Sequence, residues 1–256
     1  MRRKINKIGE EGTNNFGSKM IISRYNGALD IDIYFPEYDW TSENKKYQHF
    51  KNGKINCPYE PRVYGKGYLG EGIYKKSKNG KLNKYYISWC NMLKRCYDPK
   101  LQEKEPSYKG CEVEKEFLNF QIFSEWFYKN YYEVPGERME LDKDILLKGN
   151  KVYSPITCVF VPKNINALFE KSNKIRNSFY IGVRQHSKYK NKYMAECSDG
   201  HNKNKYIGIF DNPKEAFYAY KTHKENLIKE IAEKYKESIP NKLYEAMFNY
   251  KVQMTD

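Results

Sequence analysis

Asp142, Lys143 and Asp144 follow one another in the stretch LDKDILLKGN, and Asn166 lies further on in KNINALF. In an extended chain side chains alternate, so Asp142 and Asp144 share one face. Paired carboxylates suit two chemistries. They can hold a divalent cation through hard oxygen ligands, or one of them can take a proton from water. The plainer alternative is a charged, solvated entry to a strand, and it stands beside these two. Lys143 is a poor base at neutral pH, because a lysine titrates near ~10.4 and a neighbouring carboxylate raises that value. Asn150 follows Gly149 and reads as a turn residue.

A second set lies in YIGVRQHSKYKNKYMAECSDGHNKNKYIGIF. Arg184 can donate two parallel hydrogen bonds to guanine or clamp a phosphate. The chain has a net charge of +14, which favours a polyanionic partner. AT-rich codons by themselves raise Lys everywhere, so total charge is weak evidence. The distribution says more. Residues 171–210 carry nine Lys or Arg against two Asp or Glu, whereas residues 211–256 carry eight of each. A basic sheet backed by a neutral helix is what a sheet-based DNA reader needs. The expected partner is double-stranded DNA. The expected contacts are Arg184, Lys188, Lys192, Glu196, Lys203, Lys205 and Tyr206.

These residues need elements to position them. At 256 residues, a mean hydropathy of −0.92 and 16% aromatics, the chain suits several small modules better than one large core. An α+β chain of three modules is expected. Residues 1–75 form a small β-barrel or curled sheet, with strands in MIISRY, ALDIDIYF and KKYQHF. Leu29, Ile31, Ile33 and Phe35 alternate there with Asp30 and Asp32, which read as the solvated face. The Gly-rich run Val63–Lys81 reads as a linker or hairpin; its phosphate-loop signal is weak without a GK[ST] ending. Residues 76–172 hold two helices, then strand, strand and helix. Trp89, Met92, Leu93 and Cys96 define the first helix, with Pro99 ending it. Phe117, Phe120, Phe123, Trp126 and Phe127 define the second. Residues 173–256 read as three strands and a helix. Asp211 is the expected cap, and Ala216, Ala219, Tyr220, His223, Leu227 and Ile231 the apolar face.

Some classes are excluded. No run of 18 apolar residues exists, so no membrane span is expected, and the N-terminus lacks the apolar core of a signal peptide. The six cysteines contain no CxxC pair, which argues against a four-cysteine zinc site and for free thiols in a cytoplasmic protein. His49, His186, His201 and His223 all lie outside the carboxylate stretch. His223 reads as a core histidine.

Two resemblances follow. Tyr180, Gly182, Val183 and Arg184, then Ala195 and Glu196, then Tyr206, Gly208 and Phe210, then Glu215, Ala216, Ala219 and Tyr220 resemble the AP2/ERF-type DNA-binding domain over about sixty residues. That resemblance implies a three-stranded antiparallel sheet on one helix, with the sheet in the major groove. Ile181 and Ser198 stand where that family carries Arg, and Tyr206 where it carries Trp, so no particular target sequence carries over. Lys84–Phe169, through MLKRCYDP, PSYKGCEVEKEFLNFQIFSEW and LDKDILLKGNKVYSPITCVFVPKNIN, looks like phage HNH-type endonucleases, which often carry an AP2-like domain. Residues 1–75 resemble a module found beside such segments in phages of Gram-positive bacteria.

The second resemblance implies a ββα fold around one divalent metal. Asp142 matches its acidic residue and Asn166 its helix ligand. Lys143 stands where the general-base His belongs, and Thr157 where the middle Asn belongs. The implied protein is a sequence-selective double-stranded DNA-binding protein of phage or prophage origin, acting in the cytoplasm of a bacterial host, with a degenerate nuclease core and no cofactor. The alternatives are an active endonuclease using Mg²⁺ or Mn²⁺ with Asp142, Asp144 and Asn166, or a protein that binds and inhibits a host protein.

Overall fold

The computed structural model describes residues 6–169, 180–200 and 204–256. The chain is a mixed α+β protein with antiparallel sheets. It divides into two compact units, residues 1–128 and 129–256. The division falls inside the stretch 76–172 expected as one module.

The first unit opens on an antiparallel meander, β1 (Glu11–Thr13), β2 (Lys19–Gly27), β3 (Asp30–Phe35) and β4 (Trp40–Lys45), in that order across the sheet. Alternation decides which face is buried. Met20, Ile22, Ile31, Ile33 and Phe35 are fully buried on one side. On the other, Arg24 grips Asp30 at 2.9 Å and Asp32 at 2.5 Å. Leu29 lies in the turn before β3 and is 76% exposed, so the buried alternation begins at Ile31. The sheet is open rather than a barrel. KKYQHF, expected as a strand, contains the helix α1 (Tyr47–Lys51), which drops Phe50 into the core.

The glycine-rich connector holds a short hairpin, β5 (Ser77–Lys78) and β6 (Lys81–Leu82), but it is no free linker. A β-carbon at Gly67 would strike Leu93 and Trp89, the interior of α2 (Lys84–Tyr97). Trp89 Nε1 donates to the Phe117 carbonyl at 2.8 Å. Pro99 ends α2 and also opens α3 (Pro99–Lys104), where Asp98 caps the first turn through Lys100 N at 3.0 Å and Leu101 N at 3.4 Å. Then come β7 (Glu112–Val113), α4 (Lys115–Leu118) and α5 (Phe120–Asn130). Phe117, Phe120, Phe123 and Phe127 are buried, so the aromatic stripe is a core and not a stacking surface.

In the second unit β8 (Met139–Asp142) is followed by β9 (Val152–Tyr153), β10 (Val159–Pro162) and α6 (Lys163–Phe169). β8 and β10 pair antiparallel with Asp142 opposite Val159. Next come β11 (Val183–Gln185), β12 (Tyr193–Ser198) and β13 (Asn204–Phe210), one antiparallel sheet in chain order. The long helix α7 (Pro213–Tyr235) and the short α8 (Asn241–Phe248) complete it. Asn212, not Asp211, caps α7, accepting from Lys214 N at 3.1 Å and Glu215 N at 2.9 Å.

α7 serves two cores. Its first turns bury Ala216, Phe217 and Tyr220 against Val183, Ala195 and Cys197 of the sheet. Its later turns bury Ile228 and Ala232 against Val159, Val161, Ile165 and Leu168 of the β8–β10–α6 motif, with Leu243 and Met247 of α8. The motif and the sheet are therefore parts of one unit, which a boundary near residue 172 would split. Among the described residues no helix is long and apolar enough to cross a membrane.

Candidate functional site

The strand β8 ends at Asp142 because its side chain turns the chain. Asp142 Oδ1 accepts from Asp144 N at 2.8 Å and from Ile145 N at 2.7 Å. Asp144 thus lies in a turn, not on a continued strand face. Burial, and then the adjacent Asp144 carboxylate, push Asp142 up to about 6. Lys143 is buried. Its ammonium meets Asp144 Oδ2 at 3.4 Å and lies 5.6 Å from the centre of the Tyr153 ring. Both contacts use it as a cation.

Asn166 does not meet Asp142. Its amide donates to Glu140 Oε2 at 3.0 Å, one alternation earlier on the same strand. Asp142 and Asn166, expected as two ligands of one metal, are thus tied to different partners. Among the described residues no group of three or more His, Cys, Asp or Glu could hold a metal ion. Thr157, expected in the place of a strand-orienting Asn, donates to the Val152 carbonyl at 2.9 Å and meets Ser154 Oγ at 2.8 Å. The residue that bridges the segments is Asn150. Its amide donates to the carbonyls of Lys143 and Val152, each at 2.7 Å. It is more than a turn former.

The β11–β13 sheet presents a face away from α7. Register places Arg184 opposite Met194, Met194 opposite Ile209, and Glu196 opposite Tyr206. Arg184 Nη2 donates to Glu196 Oε1 at 2.7 Å. A β-carbon at Gly182 would collide with the Tyr220 ring, and its φ of +74° also favours glycine. Gly182 therefore lets β11 close onto α7, which sets the height of Arg184.

The expected contact residues divide between places. Arg184, Glu196 and Tyr206 lie on the outer face. Lys188 lies in the loop before β12, where its backbone N donates to His186 Nδ1 at 3.1 Å. Lys192 pairs with Asp211 across the sheet end. Lys203 and His201 lie outside the described residues. Lys205 does not belong with Tyr206. It stands opposite Cys197, a buried residue, and so on the α7 side. There it lines a cavity of about 230 Å³ with Asp199, His223, Asn226 and Glu230. Burial, then Lys205, push His223 down. Next to it on α7 is Lys224, 6% exposed, with a long 3.4 Å bond to the Ser198 carbonyl. Burial lowers its pKa.

Comparison with known proteins gives no match. No family model, no curated protein and no solved structure corresponds to this chain. The reading of the site therefore rests on the geometry. That geometry offers a mixed polar and apolar sheet face with Lys188 and Lys192 at one end, and a short carboxylate turn at the end of β8. Sequence reasoning missed Glu140 and Lys224, and read Asn150 only as a turn residue. Alternation along β8 would have placed Glu140 on the face of Asp142.

Proposed function

We propose that this chain binds double-stranded DNA in a sequence-selective way, presenting the outer face of β11–β13 to the major groove in the manner of an AP2/ERF-type domain. The β8–β10–α6 motif beside it is a ββα element of phage HNH type with Lys143 in the base position, and it serves as scaffold. The observation that carries this is Arg184, exposed at the centre of a strand face and held by Glu196, within a segment of strongly basic sequence. An arginine steadied by a carboxylate keeps its other donors aimed outward, where a guanine edge accepts two of them. The nearby lysines supply phosphate contacts. The test is duplex binding by fluorescence anisotropy across a salt series. Affinity should fall steeply with salt, because phosphate contacts release counterions. Affinity independent of salt, or no binding at low salt, would sink the reading.

A metal-dependent endonuclease is the second reading. It is favoured by the carboxyl pair of Asp142 and Asp144 at the end of a β-strand that leads through a second strand into a helix. Asp142 and Asp144 would hold Mg²⁺ or Mn²⁺, whose charge would stabilise the departing oxygen at phosphorus. Supercoiled plasmid incubated with either ion separates the readings. Nicks made by wild type and absent with Asp142→Ala support the nuclease; binding without nicks supports the scaffold.

A further inference from the structure

We propose that the outer face of β11–β13 selects its duplex by the 5-methyl groups of thymine, contacted by Met194, Tyr206 and Ile209, next to a guanine contacted by Arg184. The inference rests on the DNA-binding reading above and names what that surface recognises.

One row of the face runs Arg184, Met194, Ile209 across all three strands, the next places Glu196 opposite Tyr206, and the last places Ser198 opposite Asn204. A solvated sheet face ordinarily carries polar side chains, with the apolar ones turned to the core. Here the core positions are already filled by Val183, Ala195 and Cys197, yet Met194, Tyr206 and Ile209 make up three of the five residues in the first two outer rows, with the polar Ser198 and Asn204 beyond them. Tyr206 is 54% and Ile209 42% exposed. No core explains them, so the apolar part of this face has a partner.

Charge narrows the partner. Lys188 and Lys192 lie at the end of the strands, outside these rows, and Lys205 lies on the far side of the sheet. Lys188 and Lys192 thus flank one end of the patch, and its apolar side chains lie further along the strands. Glu196 sits among the latter, and a carboxylate there repels phosphate. Basic groups that grip the backbone and an adjoining face that meets base edges are how positioning and specificity divide on DNA. Among the groups that bases display in the major groove, the thymine methyl is the apolar one. Arg184 completes the set. Only Nη2 is bonded, to Glu196, and its remaining donors have no partner among the described residues. Guanine O6 and N7 match them.

The experiment selects duplexes from a randomised pool with the full chain in EDTA, so that no metal-dependent cleavage intervenes. The enriched duplex is then remade with deoxyuridine in place of thymidine. Each contacted methyl should be worth about fourfold in Kd, from ~0.8 kcal/mol per buried carbon. The Met194→Ser and Ile209→Ser variants should bind the thymine duplex more weakly and lose the preference over uracil, with circular dichroism spectra matching wild type. Equal affinity for both duplexes, with selective and salt-sensitive binding retained, would overturn the inference and leave the DNA-binding reading standing. Enrichment of no duplex at all would overturn both.

Discussion

Gly200 lies against Leu168. A β-carbon added at Gly200 would stand 3.0 Å from Leu168 Cδ2 and 2.6 Å from the Asn164 carbonyl oxygen. The turn leaving β12 is thereby seated on α6, the helix of the ββα element. The same two parts are joined again through α7, which buries Tyr220 under the sheet and Ile228 under β10 and α6. A third tie closes the far end. The Asn164 amide donates to Tyr235 Oη at 2.7 Å, and both groups meet Glu137 Oε1 at 2.9 Å. Within this unit the β11–β13 sheet cannot shift freely over the β8–β10–α6 motif, because shared packing holds both. DNA seated on the sheet would have a fixed relation to Asp142.

Gly200→Ala should therefore destabilise the second unit by about 1–3 kcal/mol, from overpacking against Leu168 and from the left-handed backbone at φ +82°. Urea unfolding monitored by far-UV circular dichroism gives the number. A midpoint equal to wild type would mean that the turn stands clear of α6 in solution.

Arg184→Ala should weaken duplex binding by roughly five- to 150-fold, since one bidentate base contact is worth about 1–3 kcal/mol. Arg184→Lys should restore little, because a lysine ammonium lacks the paired donors of the guanidinium. Glu196→Gln should fall between them: it keeps an acceptor for Nη2 but loses the charge. Anisotropy titrations at one fixed salt concentration rank the three. Wild-type affinity in Arg184→Ala would remove this residue from the interface.

Much of this was legible in the sequence, and the failures share physical causes. β3 showed through alternation, α2 through the helical spacing of Trp89, Met92, Leu93 and Cys96, and α5 through its aromatic periodicity. α1 was missed because a five-residue helix is too short to show a period against a strand-like run. β4 was missed because an edge strand of WTSENK buries only Ser42. On α7 the apolar face was placed around His223, while the buried line runs Tyr220, Lys224, Ile228. A charged residue at the centre of a buried stripe shifts any reading based on hydropathy. Asn166 was assigned to Asp142 because sequence spacing cannot say which of two same-face carboxylates a helix residue will reach. α7 closes two cores, and hydropathy along a helix does not reveal how many partners share it.

Asp142 makes stability depend on pH in an unusual direction. Burial holds its folded carboxyl up to about 6, above the ordinary 3.8. The folded chain therefore binds the proton more tightly than the unfolded chain. Below both values each state is protonated and nothing is lost; stability declines as pH rises from about 4 to 6 and the cost is complete above that. Asp142→Asn keeps an oxygen to accept from Asp144 N and Ile145 N while removing the charge. It should stabilise the protein at pH 7.5 by about 1–3 kcal/mol, with the gain vanishing at pH 4. Thermal melts at the two values test it. A gain of equal size at both would show that charge at Asp142 is not the cause.

Lys224 is buried in the middle of α7, and among the described residues it makes one long bond, to the Ser198 carbonyl. Burial lowers its pKa, outweighing Cys197 and Asp199, which act the other way. The sign is the mirror of Asp142. Above the unfolded value near 10.5 both states are neutral; as pH falls below it, the unfolded chain takes up the proton first and stability drops until the folded lysine also charges. At neutral pH, well below the unfolded value, that loss is present. Lys224→Met matches the length and shape of the side chain and carries no charge, so it should raise stability at pH 7 by about 1–3 kcal/mol, as buried charges replaced by apolar groups often do. Urea unfolding at pH 7 measures it. If Lys224→Met is less stable than wild type, the ammonium is better solvated or paired than its 3.4 Å bond implies. If it is more stable but binds duplex poorly, the chain keeps a costly cation under the end of its reading sheet because binding uses it.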